Sequence, residues 1–183
     1  FTSMMQAYLD EAPYRQNDLS VIETGLQRAM KDEKQKDALE KELLKRTQAN
    51  KTAYVYQDLL VWLYMHRNDF DGALLQAKSL DVLRDEDGEN VMRIAKTASE
   101  QKDYDVAING YQYVVNKGLK YPNYVNANLE LINVKRDKLV NSPNYGKTDL
   151  LSLKDTYQRF ISEYKSEYTA TYATLELAQL EAL

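Results

Sequence analysis

Two stretches of this chain match each other at a fixed offset, and no other feature constrains the fold as strongly. Residues 68–74 and 102–108 both read polar, Asp, aromatic, Asp, any residue, Ala, aliphatic. Every matched pair, from Asn68 with Lys102 to Leu74 with Ile108, is 34 residues apart. A repeat of this length is one supersecondary unit, which buries its apolar face only by stacking on a neighbouring copy. The sequence therefore predicts a stack of similar units.

Each repeated stretch contains the residues that a tight helical hairpin needs. Asp69 and Asp103 follow a polar residue and can cap the N-terminus of the next helix, and the aromatic residue after each Asp can fill the angle between helices. Ala73 and Ala107 are small, which suits the closest approach of two paired helices, since a larger side chain would overpack the crossing. The residues expected to pack the repeats together are Tyr64, Phe70, Ala73, Tyr104, Ala107, Tyr111, Tyr157 and Phe160.

This pattern resembles the tetratricopeptide repeat family over at least residues 54–121. Where that family favours Trp in the first helix, this chain has Gln57 and Val91, so the resemblance is carried mainly by the second helix of each unit. Residues 26–50 and 60–64 are also similar in style to large repeat proteins of Bacteroidetes-type bacteria. The resemblance implies an all-α protein, an α-solenoid of antiparallel helix pairs wound into a superhelix, that binds other proteins.

A third unit follows after a longer connection. The stretch 157–161 has the same character as 111–115, now 46 residues further along, and the turn-forming residues of 141–148 account for the extra length. Residues 157–180 are similar to repeats of bacterial envelope assembly proteins. We therefore divide the chain into irregular N-terminal helices at 1–50, two tetratricopeptide-like repeats at 51–121, and a C-terminal unit with a long loop and a terminal helix at 122–183.

The composition agrees with a helical chain. Its 183 residues include only 6 Gly and 3 Pro, which is few for the many tight turns of an all-β protein. Caps and apolar periodicity predict about ten helices. We place them at 2–10, 18–31, 34–49, 52–66, 70–84, 88–101, 104–117, 122–140, 149–164 and 167–182.

The charge pattern disfavours nucleic acid and membrane partners. The net charge is −4, and the basic residues between 31 and 51 alternate with acids, whereas nucleic-acid binders gather Lys and Arg on one face. No apolar run approaches the roughly 20 residues of a spanning helix, so we expect no membrane insertion. A chain without Cys fits the cytoplasm or the periplasm and cell envelope equally well. Because the chain begins at Phe1, we expect a piece of a longer protein, and a signal peptide could lie upstream.

Catalytic and metal-binding patterns are missing. His66 is the only histidine and lies at a predicted helix end, where it can interact with backbone carbonyls. Residues 85–90 resemble a calcium loop, but Lys96 stands at the twelfth place and repels a cation. Residues 146–148 end like a phosphate-binding loop, but Asn141 replaces its first Gly and no strand precedes it. We therefore expect no enzyme activity, no metal and no cofactor.

A binding surface is predicted on the first helix of each pair, which lines the concave face of such a superhelix. Trp and Met side chains there would form an adaptable apolar floor, and a Lys would attract an acidic group, although the Trp could instead pack on the preceding helix. The candidate groove residues are Asp58, Trp62, Met65, Met92 and Lys96. Tetratricopeptide proteins that hold a partner's C-terminal carboxylate use Lys, Asn and Arg here. This chain has Asp58, Trp62 and Arg93 at those places, so that clamp is largely absent.

Two functions remain open from the sequence. The first is a non-enzymatic scaffold that presents its concave surface to a protein or peptide partner. The second is a structural spacer in a larger repeat protein of the bacterial cell envelope, where this segment stacks against further repeats of the parent chain.

Overall fold

The computed structural model describes residues 1–50, 52–144 and 146–181, and within them the chain forms ten α-helices and no β-strand. Consecutive helices pack as pairs, which confirms the predicted fold class, an all-α helical repeat of the solenoid type. The helices are α1 (Thr2–Glu11), α2 (Ser20–Ala29), α3 (Glu33–Ala49), α4 (Val55–His66), α5 (Phe70–Arg84), α6 (Glu89–Glu100), α7 (Tyr104–Lys117), α8 (Tyr124–Val140), α9 (Lys147–Glu163) and α10 (Tyr168–Glu181).

Helix ends differ from the predicted ones where a side chain bonds the backbone locally. Helix α2 begins at Ser20 instead of residue 18, because Asp18 Oδ1 accepts from the Ser20 N–H and hydroxyl at 3.1 and 2.6 Å. Helix α9 begins two residues earlier than predicted, because Asp149 Oδ2 accepts from the Gly146 N–H at 2.9 Å and completes the first turn. A short 3₁₀ helix at Ala12–Tyr14 was not predicted.

The chain divides into two compact units, unit 1 (Phe1–Asp85) and unit 2 (Glu86–Leu183). In unit 1, α1 packs against α2, while α4 contacts both α3 and α5. In unit 2, α7 contacts α6 and α8, and α8 also contacts the pair formed by α9 and α10. The predicted segments 1–50, 51–121 and 122–183 are boundaries between repeats, whereas the two units are defined by how compactly their residues pack. The division into repeats therefore stays a prediction.

The bends between α4 and α5 and between α6 and α7 have the same backbone geometry. Asn68 and Lys102 are both left-handed, with φ of 57° and 64°. The next residues, Asp69 and Asp103, have φ of −86° and −83° with ψ of 78° and 70°. Their N–H groups donate to the carbonyl five residues earlier at 2.9 and 2.8 Å, the closure of a Schellman motif. The 34-residue repeat of the sequence is therefore also a repeat of backbone conformation.

The residues expected to pack the repeats are buried, with one partial exception. Ala73 and Ala107 are both 0 % exposed, in agreement with a close helix crossing at equivalent places. Tyr104 is half-buried. The other members of the set are all buried: Tyr64, Phe70, Tyr111, Tyr157 and Phe160.

Large and small side chains have exchanged places between the two copies. A Cβ atom built on Gly72 would lie 3.0 Å from two ring carbons of Tyr64, so the glycine leaves room for that ring. The equivalent positions 34 residues on are Val106 and Ala98, and both are buried. In the first hairpin the large Tyr64 packs against a glycine, and in the second the small Ala98 is paired with the branched Val106. The two side chains together therefore fill a similar volume in each hairpin.

Ionic and hydrogen-bonded contacts attach α4 to α3 in unit 1. Arg67 donates to Glu40 at 2.7 Å and to Asp37 at 2.9 Å, and the Tyr64 hydroxyl donates to Glu40 at 2.9 Å. Burial, together with the Glu40 carboxylate, raises the pKa of Tyr64 to about 12. The ring of Tyr64 is therefore held at both ends, by Gly72 on α5 and by Glu40 on α3.

Candidate functional site

The five predicted groove residues are divided between the two units. Asp58, Trp62 and Met65 lie on α4 of unit 1, whereas Met92 and Lys96 lie on α6 of unit 2. Each set is described within its own unit.

The unit 1 residues are already engaged with neighbouring side chains. Asp58 accepts two hydrogen bonds from the Arg84 guanidinium, at 2.9 and 2.5 Å, and this guanidinium lies 5.4 Å from the centre of the Tyr54 ring. Trp62 is half-buried, with its ring centre 5.8 Å from that of His66, the exposed last residue of α4. Met65 is half-buried. Because Asp58 has a bidentate cationic partner, it is a poor candidate to receive a ligand's cation.

Unit 2 contains a cleft of about 700 Å³, and Met92 and Lys96 both line it. Its walls come from α6, α8 and α10, with one residue of α7 at the floor. We call this surface the unit 2 cleft; its lining residues are Glu89, Asn90, Met92, Arg93, Lys96, Tyr111, Asn123, Asn126, Leu129, Glu130, Asn133, Tyr168, Thr169, Tyr172 and Glu176. The cleft thus includes residues of α8 and α10, none of which belonged to the predicted groove.

Tyr111 is the buried polar residue of the cleft floor. Only 2 % of the side chain is exposed, yet its hydroxyl has no hydrogen-bond partner among the described residues. Burial, and after it the carboxylates of Glu130 and Glu100, raises the pKa of Tyr111 well above its ordinary value. The hydroxyl therefore stays protonated and can donate to a group that enters the cleft.

Polar groups in and beside the cleft differ in whether the protein itself supplies a hydrogen-bond partner. The buried Tyr157 hydroxyl donates to Asn133 Oδ1 at 2.8 Å, and Asn133 Nδ2 contacts Glu130 at 3.4 Å. Thr169 Oγ1 is buried and has no partner within residues 1–50, 52–144 and 146–181. Among the described residues, Thr169 Oγ1 is therefore a fully buried hydroxyl oxygen without a partner, although buried polar groups are normally hydrogen-bonded, whereas the Tyr111 oxygen is not fully buried.

The cations that line the cleft all lie on α6, whereas its carboxylates lie on α6, α8 and α10. Arg93 and Lys96 are exposed on α6, and neither makes an ion pair within the part of the chain that the structure describes. On α10, Glu176 is paired with Arg136, so its charge is largely compensated. Glu89 and Glu130 also line the cleft, on α6 and α8. The α6 side thus has two unpaired cations, while the α8 wall has an uncompensated carboxylate.

Two exposed tyrosines form the α10 rim. Tyr168 and Tyr172 are 73 % and 47 % exposed, and their rings meet edge to face with centres 4.8 Å apart. Their hydroxyls lie 2.8 Å from each other. Exposed, mutually fixed tyrosines are typical of protein-binding surfaces, because they offer a large area with few rotatable bonds.

No metal centre and no membrane span are found in the described regions. Among residues 1–50, 52–144 and 146–181, His, Asp and Glu side chains do not gather in groups of three that could hold a metal ion. No helix over the same ranges is long and apolar enough to cross a bilayer.

Comparison with known proteins gives no family for this chain. Models of known protein families do not match it, and neither does any curated protein.

Proposed function

We propose that this chain is a non-enzymatic scaffold that binds a protein or peptide partner in the unit 2 cleft. The observation that supports the proposal best is Tyr111, a residue only 2 % exposed that lines the cleft and whose protonated hydroxyl has no hydrogen-bond partner among the described residues. The exposed tyrosine rim and the unpaired cations of α6 provide the apolar and charged contacts that protein interfaces use. With a net charge of −4, the partner in this proposal is not a nucleic acid.

We also propose that the hairpins α4–α5 and α6–α7 are tetratricopeptide-like repeats. Support comes from the constant 34-residue offset, the matching left-handed residues Asn68 and Lys102, and the buried alanines Ala73 and Ala107. In this arrangement α6, α8 and α10 are the helices that face the bound partner.

The scaffold proposal is tested by quantitative affinity capture from the parent cell. The intact protein and Lys147→Glu should recover the same proteins, because Lys147 is exposed and lines neither the unit 2 cleft nor the surface between α9 and α10. Lys96→Glu makes the same charge change inside the cleft, and some of the recovered proteins should be lost. Trp62→Ala serves as the corresponding test of the unit 1 part of the predicted groove. Equal recovery by the intact protein and every variant would reject the scaffold function.

A second candidate is a stacking role within a larger repeat protein, which one observation favours. A shallow surface between α9 and α10 is lined by apolar and small residues, among them Ile161, Ala170, Leu175 and Ala178. Such a face could pack against a further hairpin. Sedimentation equilibrium distinguishes the two candidates, since a stacking face predicts self-association that Leu175→Glu abolishes, whereas a scaffold predicts a monomer at all concentrations.

A further inference from the structure

We infer that the unit 2 cleft binds an extended peptide segment in which an acidic side chain lies close to a large apolar one, with Tyr111 donating a hydrogen bond to a backbone carbonyl of that segment. This inference rests on the proposed scaffold function and specifies the chemistry of the partner.

The floor of the cleft selects a neutral hydrogen-bond acceptor. Tyr111 presents a hydroxyl that remains protonated, and the carboxylate of Glu130 is close enough to raise the pKa of that tyrosine. A ligand carboxylate at this point would be repelled by Glu130, whereas a peptide carbonyl would not. An adjacent peptide N–H can donate to Glu130, so the floor matches both polar groups of one peptide unit.

The same floor disfavours a helical ligand. A helix uses its N–H groups in its own hydrogen bonds, so its middle offers no donor to Glu130 and only an already bonded carbonyl to Tyr111. An extended segment leaves both groups free along its whole length. The pairing of the Tyr111 hydroxyl with the Glu130 carboxylate therefore indicates an extended backbone.

The cations of α6 determine where the acidic side chain lies. Arg93 and Lys96 are one turn apart, face the cleft and have no ion-pair partner among the described residues. Glu89 precedes them on the same helix, and Glu130 lines the cleft from α8. Since both carboxylates repel a second anion, the acidic side chain of the ligand is confined to the part of the α6 wall formed by Arg93 and Lys96.

The opposite rim and the α6 wall accept an apolar side chain. Tyr168 and Tyr172 expose their rings at the edge of the cleft, and Met92 is half-buried in its wall. Aromatic rings and a flexible thioether can together surround a Leu, Phe or Tyr side chain of the ligand.

The test begins with a display library of random ten-residue peptides selected on the intact protein. The peptide most enriched is then synthesised with a fluorescein label, and its dissociation constant is measured by fluorescence anisotropy. Binding is compared for the intact protein, Tyr111→Phe, the double variant Arg93→Glu/Lys96→Glu, and Lys147→Glu as a charge control outside the cleft. Thermal unfolding of each variant is recorded in parallel.

We expect the enriched peptides to share an acidic residue close to a large apolar one. Tyr111→Phe should weaken binding about fivefold, as for loss of one neutral hydrogen bond, without lowering thermal stability, because this hydroxyl has no hydrogen-bond partner among the described residues. The double charge reversal should weaken binding at least tenfold, and a peptide with Lys in place of its acidic residue should recover part of that loss. Lys147→Glu should bind as the intact protein does.

The inference would be overturned by no enriched peptide, by enriched peptides without an acidic residue, or by equal binding of the peptide to the intact protein and to either Tyr111→Phe or the Arg93→Glu/Lys96→Glu variant. A selected peptide that becomes helical on binding, seen by circular dichroism, would also overturn it. None of these outcomes rejects the scaffold function, which fails only if affinity capture is the same for the intact protein and all variants.

Discussion

The exchange of large and small residues between the two hairpins can be tested by repeating it in unit 1. Gly72→Val introduces the valine that the second hairpin has at position 106. Tyr64→Ala introduces the alanine that the second hairpin has at position 98. If the volumes compensate, each single variant should be destabilised and the double variant should be less destabilised than the two costs added together. The prediction therefore concerns the coupling energy between the two positions.

The expected magnitudes follow from the contacts of Gly72 and Tyr64. A Cβ at position 72 would lie 3.0 Å from the Tyr64 ring and 2.8 Å from Asp69 Oδ2, so Gly72→Val should cost about 2 kcal/mol from overpacking, reduced by about 0.4 kcal/mol because Val favours a helix more than Gly does. Tyr64→Ala should cost about 4 kcal/mol, the usual loss for a buried aromatic residue. In the double variant the valine occupies part of the vacated ring volume, and we expect a favourable coupling of about 1.5 kcal/mol.

The N-terminal cap of α5 gives an independent reason to expect the chain to tolerate the Tyr64→Ala/Gly72→Val double variant. Asp69 Oδ1 accepts from the Gly72 N–H at 2.9 Å, whereas the equivalent contact from the Val106 N–H to Asp103 is 3.5 Å. The second copy thus shows the hairpin with a valine in place and a longer cap contact. We expect the cap in the double variant to lengthen in the same way.

Urea denaturation followed by tryptophan fluorescence measures the coupling. The chain has one Trp, Trp62 on α4, so the signal reports the unit that contains both substitutions. Tyr64→Phe is the matched control, because it removes the hydrogen bond to Glu40 but keeps the ring, and should show no coupling to Gly72→Val. A Tyr64→Ala coupling smaller than about 0.5 kcal/mol would refute the volume exchange, since independent sites add within that margin.

Three further predictions concern single sites. Ala73→Leu should cost about 2 kcal/mol by overpacking the 0 % exposed helix crossing, while Ala7→Leu on the exposed face of α1 should be nearly neutral; urea midpoints from Trp fluorescence compare them. Asp69→Ala should cost about 1 kcal/mol through loss of the 2.9 Å cap, and Asp103→Ala should cost less because its cap contact is 3.5 Å; equal losses in circular-dichroism denaturation would contradict this. Burial raises the pKa of Tyr157 to about 12, so the folded chain keeps a proton that the unfolded chain loses near pH 10. This contribution to stability is complete below pH 10 and is lost as the pH rises towards 12, and Tyr157→Phe should therefore reduce the fall in the urea midpoint over that range.

Local patterns were enough to predict most helices. The bounds of α5 and α7 agree with the prediction because Asp69 and Asp103 cap them and the repeat aligns them with each other. The start of α2 was missed because Asp18 bonds the backbone and hydroxyl of Ser20, two residues on, and leaves Leu19 as the N-cap. Such competition between a cap and a local turn depends on small energy differences that residue type alone does not resolve.

The candidate site was predicted only in part, and the reason is distance along the chain. Met92 and Lys96 were identified because they lie on one predicted helix, but the cleft also needs α8 and α10, whose residues approach α6 only after folding. Tyr111 was expected to pack the repeats, and it is buried, but it also lines the cleft. The sequence does contain a signal for the part of the cleft that was missed. Polar or partly polar residues recur at helical spacing in Tyr168 and Tyr172 and in Asn126 and Asn133, whereas a helix face that only packs the core would be aliphatic.

The matching bends make the two hairpins interchangeable at their joints. A left-handed residue and a fixed set of main-chain bonds define each joint, and either Asn68 or Lys102 satisfies it. The pentapeptide 67–71 could therefore replace 101–105 without changing the angle between the helices on either side. A gene for such a chain can gain or lose a 34-residue cassette, and each inserted hairpin arrives with its own joint already encoded.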